Sequence, residues 1–175
     1  MYRKLILAAA LALGAGPAFA HVTLEQAKTP AGGSYKAVFR VPHGCDGKPT
    51  VAVRVKIPEG FIGVKPMPKP GWTLDKVRGK YAKTYELFGT PTSEGVTEVS
   101  WSGGSLPDDE YDEFVLRGTF VGDLPVGSVI YFPIVQECPD GAAERWIEVP
   151  ASGQSSDDLK MPAPAVTLTE KAGGH

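Results

Sequence analysis

Val51-Ala52-Val53-Arg54-Val55-Lys56-Ile57 is the stretch that decides the fold. Three valines and the isoleucine occupy every second position, and alanine, arginine and lysine occupy the positions between them. Successive side chains of a β-strand point to opposite faces, so this segment would present one apolar face and one more polar face. That pattern predicts a strand that packs on a core with one side and meets water with the other.

Runs of the same kind recur along the chain, whereas helical periodicity is nearly absent. They are rich in β-branched and aromatic residues, and Gly or Pro bounds each of them. The predicted strands occupy residues 22–25, 34–41, 50–57, 81–87, 96–101, 113–121, 129–136 and 145–149. Eight such runs, in a chain with 21 Gly and 16 Pro, predict an all-β protein built as an antiparallel β-sandwich.

The first twenty residues have the three parts of a secretory signal peptide. Arg3 and Lys4 give the positive start, residues 5–14 are apolar, and Ala18-Phe19-Ala20 forms a small-x-small cleavage site. The apolar run is too short to span ~30 Å of hydrocarbon as a stable helix; an uncleaved membrane anchor is the alternative. No cysteine lies at the cleavage point, which disfavours a lipid anchor. We therefore expect cleavage after Ala20 and a periplasmic or secreted protein that begins at His21.

The mature chain is predicted to be a single β-sandwich domain over residues 21–150. Residues 151–175 shift to Ser, Asp, Ala and Pro without strong periodicity, so we expect a surface strap or a partly disordered tail. Removal of residues 1–20 takes away two cations and shifts the formal net charge from −2 to −4. A mildly acidic protein is not expected to bind nucleic acid, because phosphate binding needs clustered Lys and Arg.

Cys45 and Cys138 are the two cysteines of the chain. In an oxidising compartment an even cysteine count favours a disulfide. That bond would close a loop of about 94 residues and contribute about 4 kcal/mol in the chain-entropy model. The alternative is a soft metal site built from two thiolates.

His21 is the most distinctive candidate residue, because signal cleavage would make it the first residue of the protein. A free α-amine and the Nδ1 atom of the same residue can close a chelate ring on one metal ion. The amine titrates near ~8 and the imidazole near ~6.5, so a metal displaces both protons readily at neutral pH. Two nitrogens in a nearly planar arrangement suit Cu(II). The alternative is a frayed, solvent-exposed terminus that binds nothing.

The two other histidines lie in different settings. His43 belongs to Val41-Pro42-His43-Gly44-Cys45-Asp46-Gly47, a turn that a disulfide at Cys45 would fix, so it is either a fixed metal ligand or an exposed loop histidine. His175 ends a Gly-Gly-His tail and is expected to be disordered. No Ser–His–acid or Cys–His set can be assembled from these residues, and the acidic run 108–113 is typical of a solvated turn.

Six separated motifs, taken in order, resemble the YcnI-like family of exported copper-associated domains. The motifs are His21-Val22-Thr23-Leu24, Phe39-Arg40-Val41-Pro42-His43-Gly44-Cys45, Pro66-Met67-Pro68-Lys69-Pro70-Gly71-Trp72, Trp101-Ser102-Gly103-Gly104, Tyr111-Asp112-Glu113-Phe114 and Gln136-Glu137-Cys138, followed by Arg145-Trp146. Together they extend over essentially the whole mature chain.

The resemblance implies an immunoglobulin-like or CopC-like β-sandwich with a copper site of the single-histidine-brace type. His21 matches the brace and Trp146 matches a tryptophan beside the metal. In the family a carboxylate completes the ligand set from the turn after Val-Pro, whereas this chain has His43 there. We expect His43 to replace the acid, with Asp46 and Glu113 as the alternatives. In this interpretation the Cys45–Cys138 bond is structural, and it holds the His43 turn in place.

The sequence therefore predicts an extracytoplasmic Cu(II)-binding protein of copper homeostasis that acts as a carrier, buffer or delivery factor and not as an enzyme. Its expected partners are the copper ion and possible donors or acceptors among extracytoplasmic copper-handling proteins and membrane transporters. A histidine-brace oxidase or monooxygenase is one alternative, with Trp72 as a candidate substrate platform. A metal-free interaction module, in which His21 is incidental, is the other.

Overall fold

The computed structural model describes residues 21–121 and 123–171. The predicted signal peptide and His175 lie outside the described residues. No helix in the described part is long and apolar enough to cross a membrane.

The described residues contain twelve strands and two short 3₁₀ turns, connected by loops. The strands are β1 (Thr23–Leu24), β2 (Lys28–Pro30), β3 (Ser34–Val41), β4 (Thr50–Lys56), β5 (Phe61–Pro66), β6 (Thr73–Leu87), β7 (Thr90–Leu106), β8 (Asp112–Phe120), β9 (Val129–Tyr131), β10 (Ile134–Glu137), β11 (Ala143–Trp146) and β12 (Ala165–Thr169). The 3₁₀ turns span Pro139–Gly141 and Ser156–Asp158. The predicted all-β class is confirmed.

Two main sheets form the sandwich, and a third, smaller sheet lies beside them. The first has the order β1-β3-β8-β5 and the second the order β11-β10-β4-β7-β6, with antiparallel pairing throughout both. The third has the order β2-β12-β9, in which β2 and β12 are parallel. The segment after Pro150, expected to be a strap or a partly disordered tail, thus contains the central strand of this small sheet.

Strand β4 shows how the deciding stretch produces the core. Val53, Val55 and Ile57 are buried, whereas Arg54 and Lys56 are exposed, as the alternation predicts. The residues facing them from the other elements are mostly aromatic. The largest fully buried side chains include Trp101, Tyr35, Phe39, Phe61, Phe114, Phe120 and Phe132. Removal of these large apolar side chains from water contributes most of the free energy that stabilises the fold.

The start of β4 departs from the simple alternation. Its pairing with β7 shifts between Thr50 and Ala52, which is a β-bulge. Thr50 is fully buried, and its hydroxyl accepts a hydrogen bond from Gln136. The bulge therefore directs a polar side chain into the sandwich at the end where the candidate site lies.

The predicted disulfide is confirmed. Cys45 and Cys138 are bonded with an S–S distance of 2.04 Å, across a sequence separation of 93 residues. The bond joins the turn after β3 to the end of β10. Since both thiols are consumed, a two-thiolate metal site is excluded. Trp72 and Trp101 pack edge-on against Phe114.

Tyr35 provides a test of the core at alkaline pH. Its hydroxyl donates to the carbonyl oxygen of Gln26 at 2.6 Å, and burial, with a smaller effect of Glu25, raises the pKa of Tyr35 to about 12. In the unfolded chain the pKa is about 10, so between these values the folded state holds a proton that the unfolded state has lost. The contribution of Tyr35 to the free energy of unfolding should therefore be fully present below about pH 10. Between about pH 10 and pH 12 it should fall by on the order of 1.4 kcal/mol per pH unit.

In Tyr35→Phe this part of the pH dependence should disappear. The pH dependence that the other tyrosines contribute should remain. Urea unfolding at several values between pH 9 and pH 12 measures the difference. An unchanged alkaline slope in Tyr35→Phe would contradict the assignment.

Candidate metal centre

The His21 ring lies against the Trp146 indole, with ring centroids 5.3 Å apart and an interplanar angle of 58°. Strand β1 pairs with β3 through Thr23 opposite Arg40, so the same register continued backward places His21 opposite Pro42. Trp146 ends β11 and is buried, whereas His21 is half-buried. The two main sheets thus bring the first residue of the predicted mature chain to a tryptophan that lies 125 positions later.

Gln136 fixes the Trp146 indole in the core. The indole Nε1 donates to Gln136 Oε1 at 3.2 Å. The side-chain amide of Gln136 lies within hydrogen-bond distance of three acceptors: the His43 carbonyl at 2.8 Å, the Gly44 carbonyl at 3.2 Å and Thr50 Oγ1 at 2.7 Å. Gln136 is fully buried, and the two hydrogens of its amide are shared among these three acceptors, so its polar groups are satisfied without water. One amide therefore ties the tryptophan to the turn that carries His43.

The His43 turn is held tightly at Gly44. A Cβ atom on Gly44 would lie 2.0 Å from the carbonyl oxygen of Lys48, so no other residue fits without a backbone shift. Cys45 and Lys48 exchange backbone hydrogen bonds of 2.8 and 2.9 Å, and the disulfide joins this turn to β10. The turn is thus fixed by three independent means: close packing, hydrogen bonds and a covalent bond.

The His43 side chain is half-buried, and its Nδ1 donates to the Gly44 carbonyl at 2.6 Å. A carbonyl only accepts, so Nδ1 carries the proton in this arrangement, and in a neutral ring Nε2 carries the lone pair. Asp108 Oδ1 lies 4.0 Å from Nδ1. The acidic run after β7, expected to be a solvated turn, therefore places one carboxylate beside His43.

Glu144 is a functional candidate that the sequence analysis missed. It lies opposite Gln136 in the β10–β11 pair and two positions before Trp146, so all three side chains share one face. Its Oε2 is buried and has no hydrogen-bond partner in the described part of the chain. Burial raises the pKa of this carboxyl group, and His43 counteracts the rise. The i, i+2 spacing to Trp146 was the signal that could have identified it.

The two alternative carboxylates are differently placed. Asp46 is exposed in the Cys45–Lys48 turn, where its φ is 49°. Glu113 accepts a hydrogen bond from Tyr111 and lies 3.6 Å from the Arg40 guanidinium. Neither carboxylate forms a hydrogen bond or ion pair with His21 or Trp146 among the described residues; Asp46 is exposed, and Glu113 is paired with Tyr111 and Arg40.

Among the described residues no three His, Cys, Asp or Glu side chains form a group that could hold a metal ion. A brace takes two of its nitrogens from one residue, and one of these is an α-amine that exists only when the chain begins at that residue. Cleavage after Ala20 would give His21 this amine, and the His21 ring lies beside a buried, hydrogen-bonded tryptophan. The structure brings His21 and Trp146 into contact and ties Trp146 to the backbone of the His43 turn.

Comparison with solved structures finds a protein of similar fold. The chain is similar to a solved structure of an uncharacterized protein from Nocardia farcinica that has an immunoglobulin-like fold. The TM-score is 0.60 at 27% sequence identity, with 85% of this chain and 98% of that chain covered. No curated protein matches the chain. The immunoglobulin-like β-sandwich expected from the resemblance is therefore confirmed.

A family model described as "Domain of unknown function (DUF1775)" matches residues 21–168. YcnI-like proteins are members of that family, so the resemblance found in the motifs is confirmed. The match starts at His21, the predicted first residue of the mature protein. The chain belongs to the DUF1775 family, that of the YcnI-like proteins.

Proposed function

We propose that this protein binds Cu(II) outside the cytoplasm and serves copper homeostasis as a carrier, buffer or delivery factor. The disulfide-bonded β-sandwich and the membership in the DUF1775 family support an extracytoplasmic domain. The observation that carries the copper proposal is the contact between the His21 ring and the buried Trp146. A terminal histidine that merely frays would have no reason to lie against a hydrogen-bonded indole.

In this proposal the copper ion is bound by the α-amine and Nδ1 of His21. Such a nitrogen pair suits Cu(II), whereas Cu(I) prefers cysteine and methionine sulfur. Trp146 beside the ring limits the orientations that the imidazole can take and shields one side of it from water. His43 remains the proposed third ligand, and the half-buried Glu144 joins the candidates. The surroundings of Asp46 and Glu113 make these two carboxylates the weaker choices.

The carrier role is preferred over the enzyme alternative because of the position of Trp72. A brace oxidase that acts on polymers would need an exposed aromatic platform. The Trp72 ring instead packs edge-on against Phe114, with centroids 5.0 Å apart. A groove of about 610 Å³ begins at His21 and runs along β1, β9 and the segment after Pro150. In the proposal this groove gives a copper donor or acceptor access to the ion.

The copper proposal is tested with two forms of the mature protein that both begin at His21, the native form with a free α-amine and a form in which that amine is acetylated. The acetyl group blocks the chelating nitrogen without changing any side chain and without adding a new terminal amine. We expect the native form to bind one Cu(II) with an electron paramagnetic resonance spectrum typical of nitrogen ligands, and the acetylated form to bind much more weakly. Equal affinity of the two forms would contradict the brace.

A second arm separates the candidate third ligands and the metal-free module. His43→Ala, Glu144→Gln and Asp46→Asn are each titrated with Cu(II), and Glu86→Gln, at an exposed position of β6, serves as the matched control. The variant of the true third ligand should weaken binding and alter the spectrum. If the native form shows no affinity tighter than about micromolar, and no variant changes it, the metal-free interaction module is the correct alternative.

A further inference from the structure

Three cations lie side by side across the first main sheet. Lys36 of β3 is directly opposite Arg117 of β8, and Arg117 is directly opposite Lys65 of β5. Like charges at directly opposite positions of neighbouring strands destabilise a sheet. All three residues are exposed on the outer face of the sandwich. A row of this kind has a cost in stability, so it calls for an explanation outside the fold.

The row continues onto the long β6–β7 hairpin. Lys76 and Arg78 of β6 line a depression together with Lys65, Pro66 and Val64. None of the five cations forms an ion pair within residues 21–121 and 123–171; Arg117 donates only to the Ser34 hydroxyl, at 3.2 Å. Glu94 lines the neighbouring depression beside Arg78. A chain with a negative net charge thus gathers five unpaired cations on one surface.

An exposed aromatic ring lies next to these cations. Phe88 is in the turn between β6 and β7, and 83% of its surface is exposed, more than for any other large apolar side chain in the described residues. Phe88 and Leu87 line a small cavity of about 220 Å³ with Lys65 and Arg117. Cations around a projecting aromatic ring are typical of surfaces that lie at a membrane interface.

We propose that this surface docks on a lipid bilayer that carries anionic headgroups. The basic face consists of Lys36, Lys65, Lys76, Arg78 and Arg117, with Phe88 at its edge. The cations attract the negative surface, and Phe88 enters the boundary between headgroups and acyl chains. A long, flexible lysine side chain can follow headgroups that move within a fluid bilayer. The fixed carboxylates of a protein partner would instead favour the rigid, bidentate arginine.

The basic face is separated from His21 in both main sheets. Along β3, Lys36 lies five residues before Val41, which ends the strand beside Pro42, the residue opposite His21; at about 3.3 Å per residue this is roughly 17 Å. Lys76 and Arg78 lie on β6, at the opposite edge of the second sheet from β11, which carries Trp146. Docking through the basic face therefore does not require contact between the bilayer and His21. The proposal does not depend on copper binding.

Binding to vesicles tests the proposal with the full mature chain. The vesicles are phosphatidylcholine alone or phosphatidylcholine with one part in three of phosphatidylglycerol, and sedimentation measures the bound fraction. The test variant is Lys36→Gln/Lys65→Gln/Arg117→Gln. The control, Lys28→Gln/Lys56→Gln/Lys160→Gln, makes the same change in net charge on other surfaces. In Phe88→Asn an amide replaces the ring at a position where φ is 50°, a conformation that asparagine tolerates.

We expect the wild type to bind the anionic vesicles at low salt and to be released as salt shortens the screening length. The test variant should lower the partition coefficient on the order of a hundredfold, and the control should change it little. Phe88→Asn should weaken binding while leaving its salt dependence in place. Thermal unfolding of each variant checks that the fold is retained.

Three results would overturn the proposal. Absence of binding to anionic vesicles at low salt is the first, and equal loss of binding in the test and control variants is the second. The third is binding to soluble polyglutamate, but not to vesicles, through the same residues; it would assign the basic face to an acidic protein partner instead.

Discussion

Replacement of Cys45 and Cys138 together by alanine is expected to lower the free energy of unfolding by about 4 kcal/mol. The bond spans 93 residues of sequence, and a loop of this length strongly restricts the unfolded chain. The folded state loses little direct packing, because both alanines fit where the buried cysteines were. Urea unfolding of the oxidised wild type and the double variant measures the difference as a lower midpoint in the variant, with a steeper slope because its unfolded chain is no longer held compact by the bond.

Reduced wild type is the control for this experiment. If the stabilisation comes from the covalent link, a thiol reductant should bring the wild type to the stability of the double variant and leave that variant unchanged. A double variant as stable as the oxidised wild type would contradict the expectation. The Gln136 hydrogen bonds also hold the His43 turn, so the structure of the turn should survive the loss of the disulfide better than the overall stability does.

Much of the fold could be predicted because strand alternation is a local signal. The segment that became β4 shows its faces directly, and only its first residues deviate, at the bulge between Thr50 and Ala52. The hairpin was harder to predict. Residues 81–87 and 96–101 were expected as two short strands, whereas β6 and β7 are continuous over Thr73–Leu87 and Thr90–Leu106. Polar and glycine-containing stretches pair there because the outer part of the hairpin extends past β4, whose pairing with β7 begins at Glu98, and burial on one face is not required there.

The candidate site was predictable only in the parts that chemistry or resemblance singles out. A terminal histidine stands out because of its two nitrogens, and Trp146 came from the family pattern. Gln136 and Glu144 were missed because their roles depend on which strands become neighbours. Nothing local distinguishes a buried strand glutamine from a solvated one. The same holds for the basic face, since Lys36, Lys65 and Arg117 meet only through the pairing of β3, β5 and β8.

Gln136→Leu is the second change with a large expected effect, because one amide serves groups from three parts of the chain. Without it the Trp146 indole N–H, the Thr50 hydroxyl and the carbonyls of the His43 turn lose their partner inside the core. A buried polar group left without a partner costs about 1–3 kcal/mol. The shared turn allows some relaxation, so we expect a loss of about 3 kcal/mol in the free energy of unfolding.

The indole N–H signals in a ¹H–¹⁵N spectrum distinguish loss of this network from general destabilisation. Trp101 Nε1 donates to the Met67 carbonyl at 3.0 Å and has no hydrogen bond to Gln136, from which β4 separates it, so it serves as the internal reference. In Gln136→Leu the Trp146 signal should shift and its proton should exchange faster, whereas the Trp101 signal should stay in place. Gln26→Leu, at an exposed position, is the control variant and should alter neither stability nor spectrum. If both indole signals moved together, or if neither moved, Gln136 would not be what fixes the tryptophan beside His21.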